Sequence, residues 1–297
     1  MQQERHPRWA IIVHGGATEI PEEKRADYRE GCERAASAGR RVLEAGGPAT
    51  EAVVAAVRVL EADRTFNAGI GSVLNADGKV QADASVMDGA TLDVGAVAAI
   101  EHVRHPVEVA AALLREEEVL LVADGAERFA REHGLEGPAL TALTTGETEA
   151  HDTVGCVALD ADGHIATAVS TGGLPDAPAG RVGDSPLPGG GFYADDRVGG
   201  VVFSGSGERI ARLALGAWAI ARLGDDDPVT TAGGAIAELE RVGGDAGVII
   251  VDRLGRVGWA HNSPDFAVAW ATSEHRLQSF TEAPRPGGSD APKEAAA

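Results

Sequence analysis

Lysine is scarce in this chain of 297 residues, where it occurs only at Lys24, Lys79 and Lys293. Arginine supplies the rest of the 26 basic residues, and 46 acidic residues leave a formal net charge of −20. This balance disfavours nucleic acid or an anionic membrane as a partner. Two explanations stay open: an acidic surface suited to a high-salt cytoplasm, or biased composition combined with ordinary solubility.

Cysteine and obvious metal motifs are nearly absent. Cys32 and Cys156 lie far apart, with no C-x-x-C pair and no nearby histidine pair, so we expect buried, reduced thiols rather than zinc ligands. His102 and His105 are followed at once by Pro106, and no carboxylate cluster adjoins them in sequence. We therefore interpret these two histidines as solvent-facing or capping residues.

Long apolar runs are also missing. No uninterrupted run approaches the roughly 20 residues that span a bilayer, and no apolar segment of a signal peptide follows the charged residues 1–5. The expected location is the cytoplasm. The length permits one or two domains, and a hydrophobic content of 44% is enough for one large core.

Strand-like and helix-like segments alternate along the chain, which predicts a layered α/β domain whose topology the pattern cannot choose. From residue 282 the composition of Pro, Gly, Ala and charge predicts a disordered tail, 282–297. Helices are predicted over 22–44, from Pro48, from Pro106, and over 125–133, 208–223 and 230–241. Strands are predicted over 9–13, 79–86, 91–100, 119–122, 153–159, 165–170, 198–203, 247–251 and 257–260.

Thr153 stands where a polar, turn-prone segment meets an apolar strand, 154–159. A threonine hydroxyl is a weak nucleophile unless a base lies beside it. The simplest base is the amine of the same threonine, which exists only if the chain is cut before it. The alternative is that Thr153 is an ordinary β-branched strand residue.

Thr153 lies in one of seven short sequence motifs, here called blocks, that occur in a fixed order along the chain. They are His14-Gly15-Gly16-Ala17, Phe66-Asn67-Ala68-Gly69-Ile70-Gly71-Ser72, Met87-Asp88-Gly89, His151-Asp152-Thr153-Val154-Gly155, Ser170-Thr171-Gly172-Gly173, Arg181-Val182-Gly183-Asp184-Ser185-Pro186 and Ser204-Gly205-Ser206-Gly207-Glu208. In this order, between Trp9 and Trp270, the chain resembles the asparaginase/isoaspartyl aminopeptidase family of N-terminal-nucleophile hydrolases, the threonine aspartases.

The resemblance implies a four-layer αββα sandwich of the N-terminal-nucleophile hydrolase type. It implies one hydrolase domain over residues 1–281, with the whole chain cut into residues 1–152 and 153–297. Thr153 would attack the Asp152 carbonyl to cut the chain and would then attack the substrate.

The resemblance also implies roles for three residues around this nucleophile. Thr171 would hydrogen-bond the Thr153 hydroxyl, although a threonine at a strand end before a Gly-Gly turn is the plainer interpretation. Ser204 and Gly205 would form the oxyanion hole. The family more usually has threonine at position 204, so this donor lacks a methyl group that would limit its rotamers. No lysine follows the glycine-rich stretch, which argues against a P-loop.

Arg181 and Asp184 would bind the charged end of an amino-acid substrate. Arginine can grip an α-carboxylate with two parallel N–H bonds, while aspartate accepts from an α-ammonium group. The alternative is a surface ion pair of little consequence. By resemblance, the Gly207 carbonyl would assist at the ammonium group, and Asn67 would belong to the substrate site.

No cofactor is expected for catalysis, but the resemblance implies a structural sodium ion. Its ligands would be the backbone carbonyl groups of Leu60, Glu61, Asp63, Phe66, Ala68 and Ile70.

Three functions remain open. The first is a self-cleaving hydrolase, a homodimer of cut units, that acts on L-asparagine and β-aspartyl dipeptides. The second is a glycosylasparaginase, which shares several blocks and the Tyr-Ala-Asp-Asp of 193–196 but has Ser-Thr-Asn-Gly at 170–173. The third is an uncut, inactive homologue that binds amino acids or a partner.

Two departures from the family pattern bear on processing and specificity. The segment 134–152 before the cut is short. His261-Asn262-Ser263-Pro264 stands where the family has Phe-Asn-Thr.

Overall fold

Two stacked β-sheets with helices on both outer faces make up this protein. A computed structural model describes residues 8–144 and 153–281. The strands are β1 Ala10–His14, β2 Ala82–Asp88, β3 Val94–Ile100, β4 Leu120–Val122, β5 Val154–Leu159, β6 Ile165–Thr171, β7 Phe192–Asp195, β8 Gly199–Gly205, β9 Ala246–Asp252, β10 Val257–His261, β11 Val268–Thr272 and β12 Gln278–Phe280. The helices are α1 Arg25–Glu44, α2 Ala49–Glu61, α3 Pro106–Leu113, α4 Asp124–Glu132, α5 Leu140–Leu143, α6 Gly207–Leu213, α7 Leu215–Leu223 and α8 Pro228–Glu240.

The larger sheet has eight strands in the order β12-β11-β1-β5-β6-β2-β3-β4, and the smaller has four in the order β10-β9-β8-β7. All pairs are antiparallel except β3 with β4. Strand β5, which Thr153 precedes, therefore lies between β1 and β6 near the middle of the larger sheet.

Strand β6 shows how the layers are built. Ala166 and Ala168 belong to the core under helices α1, α2 and α3, whereas Ile165 and Val169 belong to the core between the sheets. Successive side chains of a strand point to opposite faces, so both faces of this strand are buried. A third core fills the space between the smaller sheet and helices α7 and α8. The predicted αββα sandwich is confirmed.

The main elements lie where the sequence predicts them, with one clear error. The helix predicted over 208–223 is two helices, because Ala214 has a φ of +49° and turns the chain. After this bend, the amide groups of Gly216 and Ala217 donate to the carbonyl groups of Gly190 and Gly189. The first turn of α7 thus satisfies its N–H groups on a loop.

Several short elements were not predicted, namely α5, β7, β11 and β12. In addition, residues 22–24 form a 3-10 turn before α1, and β2 and β3 begin three residues later than predicted. In the described ranges, no helix is long and apolar enough to cross a membrane. Residues 282–297 and the residue before the predicted cut, Asp152, lie outside those ranges.

Candidate active site

Thr153 is buried at the edge of the space between the two sheets. It is 8% exposed and directly precedes β5. Val154 pairs with Ser170, so the antiparallel register brings Thr153 opposite Thr171. Asp83 of β2 pairs with Thr171 on its other side. These three polar residues therefore form a row across the larger sheet, on the face that packs against the smaller one.

The hydroxyl group that contacts Thr153 belongs to Ser185. The two hydroxyl oxygens lie 3.3 Å apart, and Ser185 is almost fully buried. The Ser185 carbonyl accepts a 2.7 Å hydrogen bond from the Ser85 hydroxyl of β2, which fixes the loop to the larger sheet. Ser185 belongs to one of the seven sequence blocks, but nothing in the sequence indicates a role for it.

Thr171 is the neighbour that the sequence analysis chose for Thr153. Its hydroxyl accepts from the Gly173 amide at 3.3 Å, and among the described residues it makes no hydrogen bond to Thr153. The register therefore brings Thr171 beside Thr153, while the hydroxyl contact goes to Ser185.

His14 lies at the end of β1, near the proposed nucleophile Thr153. It pairs with Gly155, and a Cβ atom on Gly155 would lie only 2.6 Å from the His14 Nε2 atom. Burial lowers the pKa of His14 to about 3, so this ring is neutral at ordinary pH. The Thr153 backbone opposes that shift, but neither ring nitrogen has a hydrogen bond of ordinary geometry within the described residues.

Ser204 lies at the end of β8 and is fully buried. Its hydroxyl oxygen accepts from the Ala17 amide at 3.3 Å, so the hydroxyl proton is available for another acceptor. Gly205 has a φ of +137°, and a Cβ atom there would lie 2.3 Å from the Asp245 carbonyl oxygen. Position 205 thus requires glycine.

Asp184 is buried, and its Oδ2 atom has no hydrogen-bond partner within the described residues. Burial raises the pKa of Asp184 to about 7, although the Arg181 guanidinium acts in the opposite direction. Arg181 itself lies 2.8 Å from the exposed carboxylate of Glu208. A Cβ atom on Gly207 would lie 2.6 Å from the Asp184 Oδ1 atom, so this glycine leaves space at the carboxylate.

Asp83 is a second buried carboxylate that the sequence analysis missed. It accepts from the Ala99 amide at 2.9 Å. Burial raises the pKa of Asp83 to about 6, while the Gly183 amide and the Arg181 charge lower it. The Arg181 charge therefore lowers the pKa of two buried carboxylates, Asp83 and Asp184, while its ion pair is with Glu208. The sequence places Asp83 in a predicted strand but gives no signal for this arrangement, because β2 and the 181–184 loop are distant in the chain.

Asn67 supports the turn that follows Thr171. Its Nδ2 atom donates to the Gly173 carbonyl at 2.8 Å, and its Oδ1 atom accepts from the Val73 amide at 3.2 Å. The Asn67 carbonyl also accepts from Gly172. Both the nitrogen and the oxygen of the Asn67 side-chain amide are thus hydrogen-bonded within the protein.

The loop expected to bind sodium follows α2. The Leu60 and Glu61 carbonyls belong to the last turn of that helix, where the helix dipole favours a cation. Gly69 has a φ of +55° and packs against the Glu61 carbonyl, where a Cβ atom would lie 2.3 Å from the oxygen. This donor set of neutral oxygens suits a hard cation.

The cysteine prediction is confirmed, since both thiols are buried and unpaired by disulfides. The histidine interpretation is confirmed in position, since His102 faces solvent and His105 is the N-cap residue of α3, although no side-chain hydrogen bond within the described residues caps that helix. His102 is exposed, but His105 is 8% exposed, and its Nδ1 atom lies 3.2 Å from the Glu61 carboxylate. No group of three or more His, Cys, Asp or Glu in the described ranges is arranged to hold a metal.

Comparison with known proteins decides the family. The family model described as "Asparaginase" matches residues 7–149 and 138–280. This chain belongs to the asparaginase family.

Three members of the asparaginase family are similar to this chain over most of their own length. An isoaspartyl peptidase/L-asparaginase of Danio rerio is 39% identical over 292 residues, covering 91% of this chain and 94% of that protein. An isoaspartyl peptidase of Salmonella typhimurium is 39% identical over 295 residues, covering 88% and 94%. An isoaspartyl peptidase of Escherichia coli is 37% identical over 296 residues, covering 88% and 92%.

Proposed function

We propose that this protein is a self-cleaving threonine hydrolase that removes the side-chain amide of L-asparagine and splits the isopeptide bond of β-aspartyl dipeptides. The observation that carries the proposal is the placement of Thr153. It lies beside Thr171, and its hydroxyl contacts Ser185, which directly follows Asp184. The nucleophile and the proposed binding groups thus converge on one edge of the sandwich.

In the first step the Thr153 hydroxyl oxygen attacks the Asp152 carbonyl carbon. The peptide bond between the two residues breaks, its nitrogen becomes the free amine of Thr153, and an ester remains. Water hydrolyses this ester to the Asp152 carboxylate and regenerates the hydroxyl. The new amine then serves as the base for substrate hydrolysis.

In the second step the same hydroxyl attacks the side-chain amide carbon of the substrate. Ammonia, or the amine of the second residue in a β-aspartyl dipeptide, leaves after taking up a proton. Water hydrolyses the resulting ester and releases aspartate. The oxyanion formed in each half-reaction would accept hydrogen bonds from the Ser204 hydroxyl, which Ala17 holds, and from the Gly205 amide.

Recognition of the free amino-acid end would fall to the groups around Asp184. The substrate α-carboxylate would pair with Arg181, displacing the exposed Glu208 carboxylate. Asp184 would accept from the α-ammonium group, which the unpartnered Oδ2 atom and the space at Gly207 support. Asn67 would keep its two internal hydrogen bonds and would act by holding the turn after Thr171.

Intact mass spectrometry tests the self-cleavage. The wild type should give two pieces, of residues 1–152 and 153–297. These pieces should elute together in native size-exclusion chromatography. Thr153→Ala should give one uncut, inactive chain. A wild type that is fully active and uncut would refute the mechanism. An uncut, inactive wild type that binds aspartate would favour the inactive homologue. Hydrolysis of a glycosylated asparagine in preference to L-asparagine would favour the glycosylasparaginase.

The sodium ion, the homodimer and the cytoplasmic location remain proposals. The carbonyl groups in the last turn of α2 and in the loop after it would hold the ion in a structural role and would take no part in the chemical steps. Size-exclusion chromatography with light scattering tests the homodimer, and thermal unfolding in sodium against a large organic cation tests the ion.

A further inference from the structure

A cavity opens at the end of the sandwich opposite Thr153. Strand β1 runs from Ala10, which pairs with Thr272, to His14, which pairs with Gly155 near the nucleophile. The cavity is lined by Arg8 and Thr272, at the Ala10 end. Four residue steps along a strand span roughly 13 Å. The cavity measures about 450 Å³, within the usual range of small-molecule sites.

Two tryptophans from facing sheets form the aromatic part of this cavity. Trp259 lies on β10 of the smaller sheet and Trp270 on β11 of the larger one, and both line the opening. Their ring centroids are 6.2 Å apart with a tilt of 31°, and both residues are half-buried. Trp259 also packs on Phe280 and Trp270 on His275, with ring centroids 5.1 and 5.7 Å apart. A planar ligand would therefore contact the parts of the two indole rings that stay exposed.

Arginines line the same cavity in a chain of net charge −20. Arg256 is paired with Asp252 at 2.6 Å, so its charge is offset. Arg8 donates to the Leu254 carbonyl, a neutral group, at 2.8 Å. Within the described residues, neither Arg8 nor Arg276 forms an ion pair with a carboxylate. Uncompensated guanidinium groups are well suited to carboxylate or phosphate.

We propose that this cavity binds a small planar anion, an aromatic ring that carries a carboxylate or phosphate. The ring packs on Trp259 and Trp270, and the anionic group pairs with Arg276 and Arg8. Glu274, the carboxylate in the lining, selects against a second negative charge near it. The site is separate from Thr153 and does not depend on the proposed hydrolase activity.

Isothermal titration calorimetry on the full-length protein tests the site with matched probes. Adenosine monophosphate and indole-3-acetate represent the two sources of a ring-borne anion. Adenosine and indole lack the anion, whereas inorganic phosphate and acetate lack the ring. One or both ring-borne anions should bind at least tenfold more tightly than their neutral and ringless counterparts.

Arginine variants locate the binding. Arg276→Ala and Arg8→Ala should each weaken the bound probe about tenfold, the loss of roughly one charge-assisted hydrogen bond. Arg222→Ala is the matched control, because Arg222 lies over Trp218, 5.5 Å from its ring centroid, on another part of the surface. Arg181→Ala should also leave the affinity unchanged, which excludes binding of the carboxylate at the Thr153 site.

Three results would overturn the proposal. These are no binding of either ring-borne anion at millimolar concentration, equal affinity for the ringless anions, or unchanged affinity in both Arg276→Ala and Arg8→Ala. Both arginines are exposed, so these variants should fold, which circular dichroism checks.

Discussion

The hydroxyl oxygens of Thr153 and Ser185 lie 3.3 Å apart, and the Ser185 backbone is tied to β2 by the Ser85 hydroxyl. Asp184 directly precedes Ser185 in the chain. The same short loop thus touches the nucleophile with one residue and supplies a proposed substrate ligand with the previous one. We therefore expect Ser185 to position Thr153.

Ser185→Ala should slow self-cleavage and lower kcat by about two- to tenfold, because one neutral hydrogen bond contributes about 0.5–1.5 kcal/mol. KM should change little, since the substrate end is bound by other residues. Ser185→Thr restores the hydroxyl and should recover part of the rate. Timed gels and steady-state kinetics measure both quantities. A rise in KM at unchanged kcat would assign Ser185 to binding instead.

Ser204→Ala should lower kcat by about 10²- to 10³-fold with little change in KM, the usual loss for one oxyanion-hole donor. Ser204→Thr should keep activity, because the added methyl limits the rotamers of the same donor. Self-cleavage also passes through an oxyanion, so both variants are assayed on fully cut protein. Wild-type rates of cleavage and hydrolysis in the alanine variant would remove Ser204 from the site.

Arg181→Ala should raise KM for L-asparagine by tenfold or more, since a charge-assisted hydrogen bond contributes about 1.5–3 kcal/mol. Arg197→Ala is the matched control, because Arg197 is an exposed arginine that also pairs with a carboxylate, that of Asp195, but lies just before β8, at the end opposite Ser204, and should leave KM unchanged. Steady-state kinetics on cut protein compares the two. Equal, wild-type kinetics in both variants would make Arg181 a surface residue as well.

The value of kcat/KM for L-asparagine should rise with pH through the pKa of Asp184, which burial places at about 7. Asp184 accepts from the substrate ammonium group only when it is ionised, and below this pKa the protonated carboxyl loses that interaction. The pH profile between 5.5 and 9 measures the effect.

Succinamate, which lacks the α-ammonium group, separates this effect from titration of the Thr153 amine. The pH profile for succinamate should keep only the rise that is due to deprotonation of the Thr153 amine. Identical profiles for the two substrates would show that Asp184 does not titrate against the ammonium group. Asp184→Asn should remove the part of the rise in kcat/KM for L-asparagine that is due to Asp184, and it should raise KM.

The sequence contained enough to predict the layers, and it singled out Thr153 as the proposed nucleophile. Apolar runs bounded by turns indicated most strands, and Thr153 stood out because a polar segment meets a buried strand there. The split at Ala214 was not predictable, since it depends on carbonyl groups of the Gly189-Gly190 loop. Strand β7 was missed because it is short and follows a glycine-rich segment, whereas the apolar strand β11 did carry a signal.

The sequence by itself determined which residues carry nucleophilic and charged groups, and that Thr153 lies at a strand boundary. Tertiary structure alone decided that the Ser185 hydroxyl lies 3.3 Å from the Thr153 hydroxyl, and that the Arg181 charge acts on both Asp83 and Asp184. The physical reason is register and burial. Antiparallel pairing of β2, β6 and β5 aligns residues up to 88 positions apart in the chain, from Asp83 to Thr171. Burial then raises the pKa of both Asp83 and Asp184, whose carboxyl groups would have ordinary pKa values in water.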